Sequence, residues 1–97
     1  MLLSRNVTVG ALRTSMRLEP EFWAALVDIA RMENLSLDAL CSRIDARRGT
    51  LARTAAIRLF ATAYFGIRRA AGADAPNVVE AVFDEIAPEP VKRRLQA

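Results

Sequence analysis

One short segment alternates between residues that can contact an acidic or polar ligand and residues with an apolar side. The two sets are Arg13, Ser15, Arg17 and Thr14, Met16, Leu18. In a β-strand, residues two apart share a face, so the first set can stay exposed while the second is buried. The planar guanidinium group of arginine suits phosphates and the edges of guanine. The segment therefore predicts a strand with one basic, polar face.

This strand must be positioned by the helix that follows it without a loop. Glu19 stands at the cap position and Pro20 at the first helical position, where its missing N–H is not needed. The apolar face of the helix comprises Phe22, Trp23, Leu26, Val27, Ile29 and Ala30. This spacing predicts an amphipathic helix that continues to Glu33.

The segment upstream leaves two arrangements open. Residues 5–9 also alternate, with Val7 and Val9 on one face, and Gly10 can begin a turn. The N-terminus therefore forms either one strand or a hairpin. A lone strand needs a partner for its backbone and its apolar face, and a second copy of the chain is the simplest partner. A homodimer is expected.

Three further apolar stripes predict the rest of a mostly α fold. Ser36 caps a helix that runs to Arg47, and Thr50 caps a long helix that ends before Gly72. Their stripes are Leu37, Leu40, Cys41, Ile44, and then Ala56, Leu59, Phe60, Ala63, Tyr64, Ile67. The last helix begins at Asp74 or Ala75, has Pro76 in its first turn and ends at Pro88. Its stripe is Val78, Val79, Val82, Phe83 and Ile86. We expect a domain over residues 1–72, then a C-terminal helix and tail over 73–97.

Composition excludes several classes of function. The 97 residues include one cysteine, Cys41, and no histidine, so neither an internal disulfide nor the usual zinc ligand sets can form. Cys41 is expected to be a buried apolar side chain, not a reactive thiol. No glycine-rich phosphate loop and no nucleophile with a nearby base is evident, so we expect no enzyme and no cofactor. No run is apolar enough to span a bilayer, and a cytoplasmic protein is expected.

Positive charge is concentrated at the end that carries the strand. Residues 1–72 hold eleven arginines and six acids, for a net charge of +5, whereas residues 73–97 hold three bases and five acids, for −2. This asymmetry favours an anionic partner such as nucleic acid. Arginine richness also arises from a GC-rich genome. Composition alone therefore does not decide whether the arginines serve an anionic partner or only reflect the base composition of the genome.

Residues 13–65 resemble the ribbon-helix-helix superfamily of DNA-binding proteins, the class of the Arc and MetJ repressors. The strand, Leu18-Glu19-Pro20 and Asn34-Leu35-Ser36 carry the likeness. A small bacterial subfamily, mostly without assigned roles, is similar at Arg13-Thr14-Ser15, Phe22-Trp23, Ile44-Asp45 and Ala56-Ile57-Arg58. The chain departs from that subfamily at Leu12, at Thr54-Ala55 and after residue 72.

The resemblance implies a mechanism of DNA recognition. In this superfamily, two strands pair antiparallel across the two-fold axis of a homodimer, and the ribbon enters the major groove of double-stranded DNA. It implies that Arg13, Ser15 and Arg17 face the bases. It also implies that Asn34, Leu35 and Ser36 offer free backbone amides to a phosphate. A sequence-specific, repressor-like transcriptional regulator is expected.

Two other interpretations remain open on the sequence. Arg13 and Arg17 are also suited to guarding a solvated sheet edge against aggregation. The chain is alternatively an antitoxin-like or adaptor module that binds a protein partner through one apolar stripe, unless that stripe packs within its own protein. The stripe consists of Val78, Val82, Phe83 and Ile86. Trp23 and Tyr64 are expected in the core.

Overall fold

Two β-strands precede four α-helices. The computed structural model describes residues 1–75 and 77–86. The elements are β1 (Leu3–Val9), β2 (Leu12–Leu18), α1 (Pro20–Met32), α2 (Leu37–Ala46), α3 (Arg53–Ala71) and α4 (Val78–Ile86). The predicted mostly α architecture with an N-terminal strand region is confirmed.

The strands form an antiparallel hairpin, so the arrangement that the sequence left open is settled. Leu3 lies opposite Leu18, and Val9 lies opposite Leu12. The two-residue connection begins with Gly10, whose φ is +61°. A positive φ at the first loop residue is what a type II′ turn requires, and glycine adopts it without strain. β2 therefore finds a strand partner in its own chain.

One face of the hairpin belongs to the core. Val7 and Val9 of β1 and Met16 and Leu18 of β2 are all buried. β1 lies mainly on α2, and β2 contacts α3. Since a shift of one residue would expose all four side chains, burial fixes the register of the strands.

Helix α1 follows the prediction closely at its start and core face. Pro20 is its first residue, and Trp23, Leu26 and Ile29 are buried. Val27 is the exception, because it is 37% exposed. Val27 shares the apolar face of α1 with these residues but lies at the edge of its buried part.

The connection from α1 to α2 is a Schellman motif. Asn34 has a φ of +57°, a conformation that asparagine tolerates better than most residues. The Leu35 amide donates to the Ala30 carbonyl at 2.8 Å, and the Asn34 amide donates to the Arg31 carbonyl at 3.2 Å. These bonds satisfy carbonyl groups at the end of α1.

The predicted cap of α2 is confirmed, but that of α3 is wrong. Ser36 Oγ accepts a hydrogen bond from the Ala39 amide at 3.0 Å. Helix α3 begins later than expected, with Ala52 and not Thr50 at its N-cap position. The start is held instead by an ion pair across the turn, in which Arg53 Nε lies 2.7 Å from Asp45 Oδ1.

Helix α3 buries a narrower stripe than the sequence predicts. Phe60 and Tyr64 are fully buried, and Ile67 is half-buried. Leu59 is 41% exposed, so its predicted burial does not occur within the described chain.

Helix α4 packs on α3. Val78, Val82 and Phe83 are buried, and the rings of Phe83 and Phe60 lie 5.2 Å apart between centroids. Most of the stripe considered for a protein partner is therefore already covered, which agrees with the alternative that the stripe packs within its own protein. Helix α4 begins at Val78 and not at residue 74 or 75; Pro76 and Pro88 lie outside the described residues.

A half-buried polar network ties α1 to α3 and to the loop before α4. Glu33 Oε2 accepts from Arg68 Nη2 at 2.6 Å and from the Tyr64 hydroxyl at 2.5 Å. Arg68 Nη1 also donates to the carbonyls of Gly72, Ala73 and Ala75. Burial, together with the hydrogen bond to Glu33, raises the pKa of Tyr64.

Candidate nucleic-acid interface

The outward face of the hairpin is a six-residue polar surface. Arg13, Ser15 and Arg17 of β2 are all exposed on this face, where the alternation of the sequence places them. Register puts three residues of β1 directly opposite them. The surface, here called the ribbon face, consists of Ser4, Asn6, Thr8, Arg13, Ser15 and Arg17. None of the six is acidic.

Sequence reasoning did not identify the β1 half of this surface. Ser4, Asn6 and Thr8 were not predicted as site residues, because the sequence left open whether β1 exists. The alternation of Val7 and Val9 with polar residues was the available signal. This alternation identifies Ser4, Asn6 and Thr8 as outward residues only if β1 is assumed to pair with β2.

Two hydrogen bonds connect the strands across the ribbon face. Ser4 Oγ and Ser15 Oγ lie 2.8 Å apart, and Arg13 Nη1 donates to Thr8 Oγ1 at 3.4 Å. The side chains of Asn6 and Arg17 make no hydrogen bond or ion pair within residues 1–75 and 77–86. These two groups can therefore meet a ligand without first breaking a contact.

Helix α2 holds the turn end of the hairpin in place. Asp38 Oδ1 accepts from the Thr8 amide at 3.0 Å. Ser42 Oγ accepts from the Gly10 amide at 2.9 Å and donates to the Thr8 carbonyl at 3.1 Å. Side chains of α2 thus satisfy the backbone of β1 on the side away from β2, and the ribbon face is presented on a supported element.

Helix α1 supports the opposite end of β1. Trp23 Nε1 donates to the Leu3 carbonyl at 2.9 Å. The guanidinium of Arg5 lies 5.5 Å from the centre of the Trp23 ring, a cation–π contact. Leu3, Arg5, Trp23 and Val27 also line a shallow depression of about 350 Å³ beside the hairpin.

Ion pairing leaves the hairpin as the least neutralised basic region. Of the eleven arginines in residues 1–72, six make ion pairs with described carboxylates: Arg31, Arg47, Arg48, Arg53, Arg58 and Arg68. The five that do not are Arg5, Arg13, Arg17, Arg43 and Arg69. Three of these five lie on the hairpin. Uncompensated positive charge on an exposed surface attracts a polyanion such as DNA.

The N-terminus of α2 differs from the expected phosphate site. The amides of Asn34 and Leu35 donate within the Schellman motif, so the expectation that both are free is wrong. Ser36 Oγ is engaged by the Ala39 amide. No hydrogen bond of the described residues uses the amides of Ser36, Leu37 and Asp38. The Asp38 carboxylate lies in the same turn and opposes the approach of a phosphate.

The remaining chemistry of the described residues is sparse. No group of three His, Cys, Asp or Glu residues is placed there to hold a metal ion. Cys41 is buried, as predicted, and burial raises the pKa of its thiol to about 12, so the thiolate form is scarce at neutral pH. The tyrosine hydroxyl of the half-buried network is already bonded to Glu33.

Comparison with known protein families decides the class. The profile of the ribbon-helix-helix domain matches residues 2–65, about two thirds of the chain. The chain belongs to the ribbon-helix-helix family. This family generally binds DNA, often regulates transcription, typically forms dimers and is typically non-enzymatic. No curated protein and no solved structure matches the chain.

The family match includes the whole hairpin. It begins at residue 2, ahead of β1, and ends within α3. The first strand is therefore part of the ribbon-helix-helix domain of this chain, and the ribbon face falls entirely inside the matched range. Within the described ranges, no helix combines the length and the apolarity that crossing a membrane requires.

Proposed function

We propose that this protein is a sequence-specific DNA-binding protein that regulates transcription, acting as a repressor in the cytoplasm of a bacterium. It inserts a two-stranded antiparallel ribbon into the major groove of double-stranded DNA. The observation that carries the proposal is the ribbon face. It combines two exposed arginines, which have no carboxylate partner among the described residues, with amide and hydroxyl groups on one supported surface. No catalytic step is part of the proposal.

The dimensions of the hairpin fit the groove. Neighbouring strands lie about 4.8 Å apart, and the major groove is about 12 Å wide and admits a two-stranded ribbon. Arg13 and Arg17 are well suited to guanine, because the guanidinium group donates two parallel hydrogen bonds to O6 and N7. Ser15 contributes a hydroxyl that both donates and accepts. These three residues are the proposed base contacts.

Contacts to phosphates are a smaller part of the proposal. The start of α2 near Asn34, Leu35 and Ser36 is the proposed anchor. Because the amides of Asn34 and Leu35 are occupied, the available donors are the amides of Ser36, Leu37 and Asp38. The positive end of the helix dipole favours a phosphate there, while the Asp38 carboxylate weakens the effect.

A homodimer belongs to the proposal as well. Leu3, Leu12 and Leu59 are each more than two-fifths exposed, which is a large apolar exposure for a chain of this length. A second copy would cover part of this surface. The β2 strands of the two copies would then lie at the two-fold axis, so that Arg13, Ser15 and Arg17 of both copies read one site.

The test is binding selection from random double-stranded DNA, followed by titration of the selected site by fluorescence anisotropy at several salt concentrations. Arg13→Ala and Arg17→Ala should each weaken binding by about 1–3 kcal/mol per lost base contact and relax the preference at those positions. Affinity should fall steeply with salt, as expected when phosphates are contacted.

Arg69→Ala is the matched control, because Arg69 is exposed, lies on α3 and also has no ion-pair partner among the described residues. It removes the same charge from a different surface and should change the affinity little. If the two ribbon variants bind and select like Arg69→Ala while remaining folded, the ribbon face does not contact the bases and the proposal fails.

A further inference from the structure

The two strands of the hairpin differ in which edge is free. The outer edge of β1 is covered, because Asp38 and Ser42 bond to its backbone near the turn and Trp23 bonds to the Leu3 carbonyl. Apart from its pairing with β1, the backbone of β2 makes no hydrogen bond among the described residues. In the proposed homodimer, the two β2 strands are therefore central, and β1 is the outer strand of each copy.

Side-chain length on the ribbon face follows the same division. β2 presents the long side chains of Arg13 and Arg17, whereas β1 presents the short side chains of Ser4, Asn6 and Thr8. The outer strands of a four-stranded sheet are about 14 Å apart, so they lie above the phosphate backbones that border a major groove about 12 Å wide. Long side chains then enter the groove at the centre, and short ones leave room for the backbones.

We propose that β1 is a phosphate-contacting strand, which holds each side of the sheet on one border of the groove with Asn6 as its main contact. This inference rests on the proposed DNA-binding function and homodimer. It assigns β1 to anchoring and leaves the reading of bases to β2.

The polar groups of β1 have the chemistry for this role. Asn6 is exposed, and its NH₂ donors have no partner among the described residues. Amide and hydroxyl side chains donate hydrogen bonds to phosphate oxygens. Thr8 Oγ1 accepts from Arg13, so the hydroxyl proton of Thr8 is left to donate. The ribbon face contains no carboxylate that would repel a phosphate.

The experiment measures the affinity of the full-length wild type, Asn6→Ala and Asn6→Asp for the selected site and for a mismatched site, by fluorescence anisotropy at several salt concentrations. Asn6→Ala should weaken both sites by the same factor, about 5- to 150-fold for the two copies, because each copy loses one hydrogen bond to a charged group. Asn6→Asp should weaken binding more than Asn6→Ala at low salt. Its deficit should shrink as salt rises, because salt screens the repulsion between the new carboxylate and the phosphate.

Thr62→Asp is the matched control. It adds the same negative charge at an exposed position on α3, outside the ribbon face, and should change the affinity little. Thermal unfolding followed by circular dichroism should give the same midpoint for both Asn6 variants as for the wild type. The near-isosteric Asn6→Asp provides the comparison if Asn6→Ala is less stable.

The outcomes distinguish this inference from the function on which it rests. If Asn6→Ala keeps the wild-type affinity and Asn6→Asp loses no more than Thr62→Asp, β1 does not contact phosphates. The DNA-binding function still stands in that case if Arg17→Ala relaxes the sequence preference. A changed base preference in either Asn6 variant would also overturn the inference, since phosphate contacts carry no sequence information. If the wild type selects no sequence, the proposed function fails and the inference fails with it.

Discussion

Replacement of Phe60 by alanine tests the packing on which the fold depends. The Phe60 ring is fully buried on α3, between Tyr64 at 6.0 Å and Phe83 of α4 at 5.2 Å, measured between ring centroids. Truncation of an enclosed phenylalanine leaves a cavity and costs about 3–5 kcal/mol. Since a small domain has about 5–15 kcal/mol of stability in total, the variant should be far easier to unfold.

Leu59→Ala is the matched control on the adjacent residue. Leu59 is 41% exposed, so its truncation should change the free energy of unfolding by less than about 0.5 kcal/mol. Urea unfolding at two protein concentrations, followed by circular dichroism, measures both variants. A loss below about 1 kcal/mol for Phe60→Ala would refute the enclosed ring and the α3–α4 packing. A large, concentration-dependent loss for Leu59→Ala would show that a second copy covers this side of α3.

Three further results are expected. Burial raises the pKa of the Cys41 thiol to about 12, so Cys41 should resist iodoacetamide at pH 8 in the native protein and react after denaturation. Rapid labelling of the native protein would contradict its burial. Ser36→Ala should cost about 0.5–2 kcal/mol of stability and weaken matched and mismatched DNA equally, whereas a changed sequence preference would contradict an anchoring role. Sedimentation at micromolar concentration should give twice the 10.7 kDa mass of one chain, and a folded monomer would exclude the homodimer.

The elements with strong local determinants were predictable from the sequence. The start of α1 follows from Pro20, and the faces of β2 follow from strict alternation. Val27 and Leu59 belong to the predicted apolar faces but are exposed within one chain, because a broad apolar stripe does not reveal which of its flanks finds a neighbour. Tertiary packing decides that, and periodicity alone cannot.

The candidate site was predictable in part for a similar reason. The outward position of Arg13, Ser15 and Arg17 depends only on the alternation of side chains along one strand, and this alternation can be read from the sequence. The β1 half depends on a pairing between two segments, which the sequence permits but does not require. The occupied amides of Asn34 and Leu35 follow from an asparagine just after the end of α1, a common position for a left-handed residue.

The intrachain hairpin changes what a dimer can do on DNA. If two copies also paired β2 with β2, the sheet would have four strands and span about 14 Å between its outer strands. The major groove is about 12 Å wide, so only two neighbouring strands could enter it. Those would be the two β2 strands, and Asn6 would remain outside. Pairing of β2 with β2 would therefore bring Arg13, Ser15 and Arg17 of both copies to the bases and leave the β1 residues beside the groove.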